Sequence, residues 1–174
     1  KLDFLIQSLV KLSRMESGII AVHSEDTTIK QMLESIQQQF NVKVREKNIT
    51  LSLCDTDLHV RCDSKWTVEA LGNIVDNAIK YTACGGNVQI KVEQYSFFVK
   101  IDIIDDGIGI EKEEIPKIFG RFYRSLSVAD QPGVGIGLFL AREIIQAQKG
   151  YIKVTSKRGK GSTFSVFLPI AKKE

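Results

Sequence analysis

The 174-residue chain has little of what builds a metal or disulfide framework: three cysteines, Cys54, Cys62 and Cys84, and two histidines, His23 and His59. No two cysteines form a CxxC pair, and the odd count argues against a zinc site or a disulfide scaffold. Three reduced thiols in a cytosolic protein are the expectation. Neither histidine sits near a recognisable nucleophile turn, which disfavours a Ser/His/Asp or Cys/His hydrolase. No run of 18 apolar residues is present, so the sequence predicts no membrane span, and no basic segment leads into an apolar signal stretch. A net charge of +3, with Lys and Arg scattered, is too small to imply nucleic acid as a partner. What remains is 43% hydrophobic and 26% charged, the composition of an ordinary globule of one domain, or one domain with a small appendage. The chain opens on Lys1 rather than a methionine, and a fragment of a longer protein is expected.

Apolar residues recur at steps of three and four over residues 1–20 (Leu2, Leu5, Ile6, Leu9, Leu12, Met15), a helix that Gly18 would end. Such a stripe packs either on its own domain or in a helical bundle or coiled-coil stem. A second amphipathic pattern covers 28–41, with Ile29, Met32, Leu33, Ile36 and Phe40. Strand candidates follow at 49–53 and 58–61. Asp63 or Ser64 then caps a long helix to Tyr81. A Gly-Gly turn precedes strands at 88–94 and 97–104. The Gly-rich stretch 107–137 contains a short helix near 111–119. A helix over 136–147 and strands at 151–155 and 163–168 close the chain. Hairpins and interspersed helices predict an α/β two-layer sandwich, a mixed sheet with helices on one face.

Three features carry chemistry. On the helix 64–81, Glu69, Asn73, Asn77 and Lys80 fall at i, i+4, i+8 and i+11, a single polar stripe. A solvated face would explain it, but each interior Asn costs roughly half a kcal/mol against Ala. The stripe offers amide oxygens and an ammonium side by side. Mg²⁺ accepts hard oxygen ligands while keeping waters and phosphates. On the strand 97–104, Phe97, Val99, Ile101 and Ile103 make one apolar face, and Asp105 continues that parity. An acid aimed into the apolar layer costs several kcal/mol unless something satisfies it. Gly107 and Gly109 follow, as in a backbone that approaches a flat ligand, or in a simple Asp-Asp-Gly turn. Finally Gly133, Gly135 and Gly137 precede a helix. That is a flexible linker or a helix start open to an anion. It follows no strand and ends in no Gly-Lys-Ser/Thr, which excludes the dinucleotide fingerprint and the P-loop.

These features stand in order, about 30 residues apart. Their arrangement resembles the ATP-binding fold shared by sensor histidine kinases, gyrase-type topoisomerases, heat-shock chaperones and mismatch-repair ATPases. NIVDNAIKYT at 73–82 is similar to the N box of the kinase branch, and DDGIGI at 105–110 to its G1 box. IFGRFYR at 118–124 is similar to the F box, and GVGIGL at 133–138 to the G2 box. The tail, with Ser156 and Gly159 to Leu168, follows the same family.

The resemblance implies an ATP-binding catalytic domain over 21–174, on the Bergerat-type α/β sandwich. Residues 1–20 would belong to the second helix of a dimerisation bundle. It implies that Asn77 ligates Mg²⁺ with Asn73 supporting it one turn away. Lys80 would contact phosphate, and Tyr81 would pack beside the nucleotide. Asp105 would accept a hydrogen bond from the adenine amine and so select adenine over guanine. Gly107 and Gly109 would let the ring approach, and Ile110 would be among the nucleotide-binding residues. Gly133, Gly135, Gly137 and Leu138 would line the triphosphate. Residues 121–132 would form a mobile lid anchored by Phe119 and Phe122, and Arg121 or Arg124 would stabilise the γ-phosphate charge. The acceptor histidine, usually followed by an acid and a proline, is absent: His23 precedes Ser24-Glu25-Asp26, and His59 lies in a strand candidate. The acceptor is expected on a helix upstream of Lys1. The implied partners are that helix, a second copy of the protein and a response-regulator receiver domain. The implied setting is the cytoplasmic part of a membrane sensor. A serine kinase of the anti-sigma type is the alternative on the same fold, though such chains usually lack the bundle helix.

Overall fold

The computed structural model describes residues 6, 10, 13, 22–125, 128, 131 and 133–171. The helix expected over 1–20, and with it the bundle assignment, lies almost wholly outside the described residues. So do parts of the segment expected to form the lid.

Helix α1 (Ile29–Glu46) buries Ile29, Met32, Leu33, Ile36 and Phe40, the stripe expected from its periodicity, and places Lys43 and Arg45 in its last turn. Helix α2 (Ser64–Tyr81) starts where Asp63 accepts a hydrogen bond from the Trp66 N–H at 3.1 Å. Helix α3 (Gly137–Ala147) buries Phe139, Leu140, Ala141, Ile144 and Ile145. Helix α2 packs between α1 and α3, and the three cover one face of a sheet.

The sheet has five strands in the order β2-β4-β5-β7-β6. These are β2 (Thr50–Leu53), β4 (Asn87–Gln94), β5 (Phe98–Asp105), β6 (Tyr151–Lys157) and β7 (Gly161–Pro169). Strand β2 runs parallel to β4; every other pairing is antiparallel. The mixed, mainly antiparallel sandwich is the expected one. Unexpected is a separate two-stranded sheet, in which β1 (Glu25–Thr28) pairs antiparallel with β3 (His59–Cys62).

Two local expectations change. Over 111–119 there is no helix but a chain of turns, with Glu114 N–H bonding Glu111 O at 2.9 Å and Lys117 N–H bonding Glu114 O at 2.8 Å. Pro116 is the reason: it has no N–H to donate and disfavours a helical conformation at Ile115. Phe97 does not join the core face. It precedes β5 and is 77% exposed, whereas Val99, Ile101 and Ile103 are fully buried.

Candidate functional site

Period-2 alternation carries the apolar face of β5 into Asp105, which is only 7% exposed. Its Oδ1 accepts a hydrogen bond from the Gly107 N–H at 2.9 Å, and the Ser162 N–H on β7 also donates to the carboxylate. Burial outweighs these two donors and pushes the carboxyl up to about 6. The neighbouring Asp106 faces outward. The Asn87 backbone N–H (2.9 Å) and side-chain amide (2.8 Å) hold its carboxyl below the usual range.

Asp105 opens onto a cavity of about 1180 Å³. From α2 the cavity receives Asn73, Asn77, Lys80 and Tyr81. The turn after β5 adds Gly109 and Ile110. Arg124 lines it from the far side, and the start of α3 contributes Gly133, Gly135, Gly137 and Leu138. Three motifs distant in sequence thus share one wall-to-wall space. Asn73 Nδ2 is buried there without a hydrogen-bond partner among the described residues. Gly137 lies so close to Asn73 that a Cβ on it would stand 3.3 Å from Oδ1. The Lys80 ammonium sits 4.9 Å from the Tyr81 ring centroid.

Some expected residues fall elsewhere. Gly107 does not line the cavity. A Cβ there would meet the Tyr81 carbonyl oxygen at 2.6 Å, so this glycine lets the turn close on the end of α2. Gly109, with φ +67°, would put a Cβ 2.1 Å from the Lys157 carbonyl oxygen. Gly109 thus lines the cavity at a close backbone contact that no side chain would allow, while Gly107 sits behind it. Arg121 also stays outside the lining, its guanidinium 4.7 Å from the Phe139 ring centroid. Arg124 reaches the Val128 carbonyl at 3.1 Å and also bonds the Gln131 carbonyl. The expected Phe119/Phe122 pair divides: Phe119 packs edge-on against Phe164 at 6.5 Å, while Phe122 is 54% exposed at φ 60°.

Sequence reasoning gave no role to Ser162 or Lys47, both of which line the cavity. Ser162 stands directly opposite Asp105 in the β5–β7 register. The Ser156 hydroxyl accepts from the Ile110 N–H at 2.8 Å, donates to the Gly161 carbonyl at 2.9 Å, and lies 2.9 Å from the Ser162 hydroxyl. This ties the post-β5 turn to the β6–β7 turn. Only strand pairing could have found Ser162. The histidines are remote: His59 Nδ1 lies 2.6 Å from Asp26 on the small sheet, and the His23 N–H bonds Asp63.

The chain is similar to known proteins. Residues 62–172 match the family of histidine kinase-, DNA gyrase B- and HSP90-like ATPases. The chain is 34% identical over 170 residues to the sensor histidine kinase WalK of Bacillus subtilis strain 168, covering 95% of this chain and 28% of that protein. It is 29% identical to the sensor protein kinase PmrB of Pseudomonas aeruginosa, covering 97% of this chain and 36% of that protein. It spans about a third of the length of these relatives. Among solved structures, the mycobacterial sensor histidine kinase MprB superposes with a TM-score of 0.75 at 25% identity, over 85% of this chain and 98% of that one. An acid sunk at the end of β5, facing an Asn- and Lys-bearing helix across one cavity, is thus found in a chain that belongs to the histidine kinase-, DNA gyrase B- and HSP90-like ATPases, as an ATP-binding catalytic domain of the sensor histidine kinase type.

Proposed function

We propose that the cavity binds ATP with Mg²⁺, and that the whole protein moves the γ-phosphoryl group to a histidine on a bundle helix for relay to a response-regulator aspartate. The observation that carries this reading is Asp105, a nearly buried carboxylate met among the described residues only by backbone N–H groups, at the edge of a cavity whose opposite wall bears Asn73, Asn77 and Lys80. The free carboxylate lone pairs accept the adenine exocyclic amine. A guanine carbonyl in that place would set acceptor against acceptor. Lys80 presents an ammonium to phosphate oxygens, and the Asn73 amide, whose Nδ2 is otherwise unpaired, supplies a further donor.

The side chains fit a magnesium ion. No group of three or more His, Cys, Asp or Glu is placed to hold a metal among the described residues, so a self-contained protein cage is not the design. Asn77 offers one neutral, hard oxygen, and Mg²⁺ accepts such a minimal set when phosphates and waters complete its octahedron. Bound there, the ion supplies charge neutralisation along the phosphate chain. Arg124, on the cavity wall, answers charge near the terminal phosphate, and Arg121 takes that part only if it swings away from Phe139.

The test has two steps. Titration with ATP in Mg²⁺ buffer gives saturable one-to-one binding. Incubation with a separately prepared bundle helix carrying its histidine, plus labelled ATP, gives a phosphate stable to base and labile to acid. No binding overturns the site. Acid-stable label on serine or threonine overturns the histidine as acceptor.

A further inference from the structure

Helix α2 ends without the usual glycine cap: Thr82 is extended, at φ −82° and ψ 139°. Its last four carbonyls nevertheless all have partners, three of them from outside the helix, where its own backbone has no donors left. Ala78 O accepts the Thr82 N–H at 3.1 Å, and Tyr81 O accepts the Ile108 N–H of the post-β5 turn at 3.2 Å. The other two, Ile79 O and Lys80 O, accept from one ammonium on a different helix end, that of Lys47, at 2.8 Å and 3.0 Å. The same ammonium also donates to Thr82 O at 2.6 Å. Three donors meet three acceptors, and the cation stands at the negative end of the α2 dipole. Lys47 is itself fixed, as the residue ending α1, and its carbonyl accepts the Gly85 N–H at 3.0 Å. Two of the residues held by this grip, Ile79 and Lys80, line the cavity, as does Lys47.

We propose that Lys47 is a positioning residue for the nucleotide: by gathering the last carbonyls of α2 it fixes the direction of the Lys80 side chain toward the phosphates. This rests on the ATP site proposed above. The Lys47 ammonium spends its three donors on backbone, so its effect on ATP passes through Lys80 rather than through a contact of its own.

The experiment is a double-mutant cycle on ATP affinity, with thermal melting measured alongside. Lys47→Met keeps the stem and removes the donors; Lys80→Met removes the phosphate contact. Lys47→Met alone is expected to weaken ATP about tenfold, and in the Lys80→Met background no more than about twofold, because the two act through one contact. If Lys47→Met is too unstable to assay, Lys47→Gln, which keeps two uncharged donors on a shorter stem, takes its place with a smaller loss and the same dependence on Lys80. Unchanged ATP affinity with a lowered melting temperature would reduce Lys47 to a structural cap and overturn the proposal. Losses that multiply independently in the double variant would also overturn it. Failure of the unmutated chain to bind ATP would instead remove the site reading itself, so the two failures are distinguishable.

Discussion

Strand β5 carries one buried-side acid and one acid on the opposite face, and they are treated differently. On the face away from the helices, Asp102 lies 3.1 Å from Lys100, which also reaches Glu93 at 3.0 Å. These carboxylates raise the Lys100 ammonium well above its ordinary value. On the helix face, Asp105 has only backbone donors among the described residues, and its carboxyl rises instead. The outward acid has a cation beside it on its own strand, although its Oδ1 is buried without a hydrogen-bond partner among the described residues. The inward acid keeps its acceptor capacity turned toward the cavity. A strand that spends stability on an unpaired buried charge, three residues from one that it pairs, marks the site more sharply than any motif.

The strongest way to break the contrast is Asp105→Asn. It is expected to weaken ATP by at least about 100-fold, because an amide can set a donor against the adenine amine. The same variant is expected to melt higher than the unmutated chain at pH 7. Calorimetric titration with parallel thermal melts reads both; retained affinity removes Asp105 from the site. Next comes Asn77→Asp, which brings a negative charge toward the phosphates. A loss of about tenfold or more for ATP, with adenosine affinity unchanged, is expected from like-charge repulsion. Equal losses for both ligands would point to a damaged helix.

The third is pH. The folded pKa of Asp105, about 6, is raised above the ordinary 3.8. The fold therefore holds this proton more tightly than the unfolded chain. That contribution to stability is fully present below about pH 4 and is lost as pH rises through about 6, a change of about 3 kcal/mol. ATP affinity runs the other way, falling by up to about tenfold per unit below pH 6 as the acceptor is protonated. Both slopes should vanish in Asp105→Asn; slopes that persist there belong to another group. The smallest effect is on the far face. Lys100→Met is expected to cost about 1 kcal/mol of stability and to leave ATP affinity unchanged. A change in affinity would mean that the two faces are not independent.

Much of this site could be read before the fold was known. The Asn73, Asn77 and Lys80 stripe needs only helical spacing, and the inward aim of Asp105 needs only strand parity, so local periodicity was enough. The limits were non-local. Ser162 meets Asp105 because β7 pairs with β5 across more than 50 residues of chain. Lys47 caps α2 from another helix end, and nothing in its own neighbourhood marks it. The β1–β3 pairing was invisible for the same reason. At 111–119, acidic and apolar residues looked helical, and Pro116 overrode them. Phe97 looked like core because parity alone was extended one residue past the strand end.

The parallel pairing of β2 with β4 bears on how the chain acquires its shape. Antiparallel neighbours β4–β5 and β6–β7 are joined by short turns and can zip without waiting for the rest. Strand β2 can join only after the chain has run out through β3, formed the whole of α2 and returned. The β2 rim of the sheet, which packs against α1, therefore assembles late, and a nascent chain halted before β4 holds α2 without the five-stranded sheet beneath it.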